Sequence, residues 1–290
     1  MSIQAKFIEF VFRIIGFKSI IQRMAIKPAR SKQFVPQDFI NKFYVKTQTI
    51  DSKLIATIKN RNSTPKLHLI YLHGGAYVFE MSGLHWTLID KLLNKIDCRI
   101  TVIDYPLAPE ANYKDTFQML SDSYQYLIQQ YPSDKFIFMG DSAGGGLALA
   151  FTQKLLNENF ATIPEKLVLV SPWIDLALEN PDINIYEKQD IQLSKQFLND
   201  CADKYSNGTD KKVYLLSPIN GNFKNLPSTI VFYGTHELFF PDIREFRSKA
   251  EKENLQIKFN EYENMQHDWI LFPIPEAEKT LKDICDFIIS

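Results

Sequence analysis

Cysteine is scarce in this 290-residue chain: Cys98, Cys201 and Cys285 are far apart and odd in number. No Cys-x-x-Cys pair occurs, so neither a disulfide framework nor a structural zinc site is indicated, and a reducing, cytoplasmic setting is expected. An excess of either charge is missing too, because 33 Lys and Arg face 34 Asp and Glu. That balance offers no long-range pull toward nucleic acid. A long uncharged apolar run is also lacking. The stretch 3–21 is rich in Ile, Phe and Val, but Glu9 and Arg13 interrupt it and no small-residue cleavage site follows. A membrane span needs about 20 nearly uncharged residues, so neither a span nor a signal peptide is expected. The expectation is an amphipathic helix that packs on its own protein, with a lipase held at a membrane surface by that helix as the lesser alternative. Internal repeats, low-complexity tracts and Gly/Ser linkers are absent as well.

What the chain does have is alternation. Short apolar runs predict strands at 43–46, 54–59, 67–72, 100–104, 136–139, 167–170, 229–232 and 257–261. Helical patterns fall at 87–96, 113–131, 145–157, 242–254 and 276–288. This order predicts an α/β protein: an eight-stranded, mostly parallel sheet with helices on both faces. Two segments break the alternation, residues 1–42 and about 175–220. We expect an N-terminal helical cap segment over 1–42 and a catalytic domain over 43–290, with a cap insertion at about 175–220. An insertion of that length beside a parallel sheet is well placed to cover a crevice at the strand ends. The 22 Phe are read first as core, since a pocket uses few residues.

The strand at 136–139 runs into Gly140-Asp141-Ser142-Ala143-Gly144, and a Leu/Ala-rich helical stretch follows. Gly-x-Ser-x-Gly between a strand and a helix is the nucleophile elbow of a serine hydrolase. The turn is tight, so its flanks must be small, and Ser142 projects from it with a free hydroxyl. The helix start aims backbone N–H groups at developing negative charge. A second Gly-rich turn, His73-Gly74-Gly75-Ala76-Tyr77, ends the strand at 67–72. Acyl transfer builds charge on a carbonyl oxygen, and fixed N–H donors stabilise it. Gly74, Gly75 and Ala143 are the expected oxyanion-hole donors.

These two motifs, with Asp104-Tyr105-Pro106-Leu107-Ala108-Pro109-Glu110 and Ser171-Pro172-Trp173, resemble the hormone-sensitive lipase family of α/β-hydrolases over about residues 65–272. The resemblance implies the α/β-hydrolase fold, carboxylester hydrolysis, a cap built from N-terminal helices plus an insertion, and no cofactor or metal. Ala76 departs from the family, where a third glycine is common. The resemblance also gives Asp141 and Glu110 the task of holding the elbow and neighbouring loops by hydrogen bonds.

A serine hydroxyl needs a base, and the base an orienting acid. Of five histidines, His68 lies within a strand, His73 opens the oxyanion loop, His85 begins a helix without an obvious partner, and His236 precedes the last strand. His267 follows the last strand, where this fold places its histidine. The acid is expected after the strand at 229–232, where family members commonly show Asp-Pro-Leu. Glu237 occupies that position and is preferred to Asp242, which is read as capping the next helix. Asp268, adjacent to His267, is expected to point elsewhere. Tyr77, Trp86, Phe239 and Trp269 are candidates to line a substrate pocket.

The function expected is a serine carboxylesterase acting on short- to medium-chain acyl esters through an acyl-enzyme. An amidase or formamidase on the same triad is the alternative, and a non-catalytic ligand-binding receptor a weaker one. The expected partner is a small-molecule ester; nucleic acid is not expected, and a homodimer is compatible with the sequence.

Overall fold

The structure is a computed structural model that describes residues 1–31 and 33–290. All eight expected strands are present: β1 (Tyr44–Ile50), β2 (Lys53–Lys59), β3 (Leu67–Leu72), β4 (Arg99–Ile103), β5 (Lys135–Asp141), β6 (Lys166–Val170), β7 (Ser228–Gly234) and β8 (Ile257–Tyr262). They form one sheet in the order β1-β2-β4-β3-β5-β6-β7-β8. β2 pairs antiparallel with both β1 and β4, while β4, β3, β5, β6, β7 and β8 pair in parallel. Only β2 therefore runs against the others. The sheet is the α/β-hydrolase fold.

β1 is longer than its expected 43–46. Its Thr-Gln-Thr continuation has polar residues at an edge, where one side of the strand faces water. A tight turn at Asp51 and Ser52, both with positive φ, then folds β2 back onto it.

Two helices begin three or four residues earlier than their periodicity indicates. α4 (Gly83–Lys95) starts at Gly83 because Ser82 and His85 form a reciprocal capping box. α6 (Ser142–Asn157) starts at Ser142 itself, so the glycines that read as a loop form its first turn. The remaining long helices are α5 (Tyr113–Gln130), α9 (Phe240–Lys252) and α10 (Pro275–Ile289).

Alternate residues of each strand bury on opposite faces. Ile70, Leu72, Phe136 and Phe138 pack with α5, α6 and α9. Leu69, Tyr71, Ile137 and Met139 pack with α4, α10 and the N-terminal segment. The cysteines are free and buried within these layers.

Residues 1–42 carry three helices, α1 (Ile3–Ile15), α2 (Phe17–Ile26) and α3 (Gln37–Lys42). Gly16, at φ 65°, makes the break between the first two. Ser2 caps α1 and also bonds Glu276 at the start of α10. The inner face of α1, with Ala5, Ile8 and Phe12, meets Met265, Gln266 and Trp269 of the loop after β8. Its outer face leaves Ile3, Phe7, Phe10 and Ile14 exposed. The insertion between β6 and β7 contributes α7 (Ile183–Gln189) and α8 (Lys195–Ser206). No helix among the described residues is long and apolar enough to cross a membrane.

Candidate active site

Parallel strands end on the same side of a sheet, so the loops after β3, β5, β6, β7 and β8 converge there. The loop after β5 is the elbow. Ser142 has φ 48°, a left-handed conformation rare for a residue with a side chain. The turn persists because its surroundings leave no alternative. A Cβ on Gly144 would lie 2.0 Å from the Leu72 carbonyl oxygen, so only glycine lets α6 start this close to β3. The Trp173 N–H donates to the Ser142 carbonyl at 2.9 Å and ties the elbow to the loop after β6.

His267 stands over the serine. Its Nε2 is 2.9 Å from Ser142 Oγ, and its Nδ1 is 2.8 Å from Glu237 Oε2. The second oxygen of Glu237 accepts the Gly234 N–H at 2.8 Å, so the carboxylate is fixed at both ends. In the neutral ring, a proton on Nδ1 directed at Glu237 leaves the Nε2 lone pair facing Ser142. Asp242 does not reach this site and does not cap α9. The helix starts at Phe240, which puts Asp242 inside its first turn. Its carboxyl is buried with one unpartnered oxygen, and burial pushes its pKa well above the usual range.

Asp141, beside Ser142, is fully buried and accepts from three groups. These are the Tyr71 hydroxyl, the Gly74 N–H at 3.0 Å and His85 Nε2 at 3.2 Å. Burial opposes its charge, but His85 and Tyr71 outweigh burial and hold its pKa below the ordinary value. His85 thus has the partner that the sequence did not show. Its Nδ1 accepts the Ser82 N–H at 2.9 Å, which leaves Nε2 to donate to Asp141.

This network changes the expected oxyanion hole. The Gly74 N–H is engaged by Asp141 and is withdrawn from the donor set. The N–H groups of Gly75, Ala76 and Ala143 donate to no acceptor among the described residues. Gly75 takes φ 122°, open in practice only to glycine, and Ala76 and Tyr77 follow at 52° and 61°. Where relatives commonly carry a third glycine, Ala76 therefore bears a left-handed backbone at some cost. His73 stacks on Tyr105 and reaches the Gly74 carbonyl through Nδ1 at 2.6 Å. Burial, with His85 nearby, lowers its pKa to about 4, so it is neutral. His68 is buried against Thr101 and Asp134, far down β3, and His236 meets none of these groups.

Asp268 does not point elsewhere. Its backbone is left-handed, at φ 50°, and this turns the carboxylate back so that Oδ2 lies 3.1 Å from His267 Nε2. Burial would lower the imidazole pKa, but Asp268 and Glu237, one at each nitrogen, hold it well above the ordinary value. Burial lifts Asp268 itself to about 7, against the pull of His267.

The insertion closes over these loops. Asp190 accepts the N–H groups of Gln192 and Leu193 through one oxygen and that of Leu238, beside Glu237, through the other at 2.9 Å. Gln192 donates to the His267 carbonyl. Glu110 proves to be exposed and pairs with Arg30 at 2.6 Å rather than holding the elbow. Arg30 also donates to the Val78 and Ala108 carbonyls, and so fastens the N-terminal segment to the oxyanion loop.

Two of the four expected pocket residues are at the site. Phe239 lies edge-on to His267 at 5.2 Å and stacks on Trp173, while Tyr77 stacks on Tyr205 of α8 at 3.9 Å. The other two belong to the opposite face of the sheet. Trp86 packs against Phe34 and Phe39, and Trp269 packs against Tyr262 and donates to Thr280 at 3.1 Å. Helix periodicity decides the first displacement: Trp86 shares a face with Ile89 and Leu93, which point into the core.

A family profile described as the alpha/beta hydrolase fold matches residues 69–271. An esterase of Acinetobacter venetianus is 32% identical over 241 residues, covering 80% of this chain and 78% of its own. An acetyl-hydrolase of Streptomyces hygroscopicus is 30% identical, covering 74% and 72%. The chain belongs to the hormone-sensitive lipase family of α/β-hydrolases. A crystal structure from Staphylococcus aureus, proposed to be an esterase, superposes with a TM-score of 0.83 at 29% identity. It covers 96% of this chain and 92% of its own. At that coverage the match extends beyond the sheet of this family member to its N-terminal helices and the insertion between β6 and β7.

Proposed function

We propose that the protein is a serine carboxylesterase that cleaves short- to medium-chain acyl esters through an acyl-enzyme on Ser142. The observation that carries this reading is the hydrogen-bonded chain Ser142–His267–Glu237, at 2.9 Å and 2.8 Å. His267 Nε2 takes the hydroxyl proton as Oγ attacks the ester carbonyl. Glu237 stabilises the imidazolium that results. Charge on the carbonyl oxygen is met by the N–H groups of Gly75, Ala76 and Ala143, with the start of α6 adding its partial positive charge. The imidazolium then protonates the departing alcohol, and water repeats the sequence to release the acid. Preference for modest acyl groups is supported by the cover over the site. Ser142 is only 6% exposed, and Tyr77, Trp173, Tyr205 and Phe239 are buried around it.

Labelling with a fluorophosphonate probe tests the nucleophile. The native chain should be labelled and Ser142→Ala should not; an unlabelled native chain would overturn the reading. Aryl esters of increasing acyl length test the substrate range, with kcat/KM expected to peak at short or medium length. A steady rise to long chains would refute that part.

A further inference from the structure

The imidazole of His267 has an acid on each side, and the esterase reading uses only one. Glu237 at Nδ1 belongs to the triad. Asp268 Oδ2 sits at the other nitrogen, 3.1 Å from the atom that must accept the proton of Ser142. A lone pair on Nε2 serves one donor at a time, and an ionised carboxylate facing it directly would repel it. The contact is favourable when the pair carries a proton, as an imidazolium beside the carboxylate or as a neutral ring beside the carboxylic acid.

Among the described residues, nothing else gives the Asp268 side chain another task. Its remaining oxygen, Oδ1, is buried with no hydrogen-bond partner among the described residues. No lysine or arginine pairs with it there; its one ion-pair partner is His267. Its backbone N–H donates to Ser171 Oγ at 3.3 Å, which anchors the loop and fixes the left-handed turn. The other titratable groups acting on the pair are Glu237, Asp141, Tyr71 and His85. Of these, Glu237 and Asp141 are carboxylates that disfavour a further negative charge, and so favour keeping a proton in the pair.

We propose that Asp268 is a positioning residue that holds a proton at Nε2 of His267, so that the resting site stays blocked until that proton is released to solvent. This inference rests on the esterase reading and adds a regulatory contact to its base. As pH rises, the pair loses one proton to water, Nε2 gains a free lone pair, and Ser142 Oγ–H can donate to it. The apparent pKa belongs to the pair rather than to either residue. During attack the same carboxylate faces the imidazolium and strengthens His267 as a base, so the cost at low pH accompanies a gain at high pH.

The test is the pH profile of kcat/KM for an aryl acetate, compared between the native enzyme and Asp268→Asn. The acid limb should move at least about one unit lower, giving roughly tenfold more activity well below the native limb. The alkaline plateau should fall by about threefold to tenfold as the base weakens. The two curves therefore cross. Parallel curves, or a limb that does not move, would overturn the proposal. A second variant, Asp268→Ser, serves if the first does not fold, with the same expectation. An NMR titration of His267 gives a readout independent of turnover. Its midpoint should lie above the ordinary histidine value in the native protein and drop in the variant. An unchanged midpoint counts against the proposal. Fluorophosphonate labelling of the native enzyme at alkaline pH separates the two failures. No labelling at any pH sinks the esterase reading, whereas labelling with an unmoved limb sinks only the role of Asp268.

Discussion

Two aspartates adjoin the proposed catalytic pair, Asp141 just before Ser142 and Asp268 just after His267, and both are buried. Their surroundings are opposite. Asp141 accepts from Tyr71, Gly74 and His85, and three donors make a buried carboxylate stable as an anion. Asp268 has one partner and an unpartnered oxygen, and burial dominates its behaviour. Burial alone does not decide what a carboxyl group does; the number of donors supplied by neighbouring elements does. Around Asp141 those donors come from β3, the loop after it and α4. They turn the anion into a brace between oxyanion loop and elbow. Around Asp268 the shortage leaves a group poised to share a proton.

The largest expected effect comes from the acid outside this pair. Glu237→Gln should lower kcat by about 10³-fold to 10⁴-fold by favouring the wrong tautomer of His267, measured with an aryl acetate near the native optimum. A loss below tenfold would mean that another carboxylate, Asp268 first, can orient the ring. Asp141→Asn is next. Its amide would set a donor against the Gly74 N–H or His85 Nε2–H, so kcat should fall about 10²-fold and stability by about 3 kcal/mol, read by urea unfolding. Asp141 holds its proton less tightly in the folded state than in the unfolded one. Its stabilising contribution is therefore present above the ordinary carboxylate pKa and disappears as pH falls through the lowered folded value. The native chain should lose stability to acid more steeply than Asp141→Asn. Tyr71→Phe removes one donor from the brace and should cost about 1–2 kcal/mol while leaving the pH limb in place. Ala76→Gly should have the smallest effect. It relieves a left-handed alanine and should raise stability by up to about 1 kcal/mol in the same unfolding assay.

Much of the site was legible because its signals are local. The elbow at Ser142, the strand that feeds it, and the position of His267 after the last strand depend on order along the chain. Glu237 was reachable for the same reason, since it follows β7 within a few residues. The misreadings involve direction in space. Trp86 and Trp269 are aromatic and close in sequence to functional segments, yet the twist of their elements turns them to the far face. Gly74 reads as a donor until Asp141, 67 residues away, takes its N–H. Asp268 looks like a residue that must point away from its neighbour, because that is the rule in extended backbone. Its left-handed φ reverses the rule. Such a backbone conformation at aspartate is not readable from one sequence.

The sequence by itself determined the strand and helix order, the α/β class, and the placing of Ser142 in a tight turn and His267 after the last strand, because each rests on short-range patterning and a turn that few residues permit. Tertiary structure alone decided which carboxylates became what. The charge state of a buried acid depends on donors and charges brought from distant parts of the chain. For Asp141 these came from Tyr71, Gly74 and His85; for Asp268, among the described residues, the one ion-pair partner is its neighbour His267.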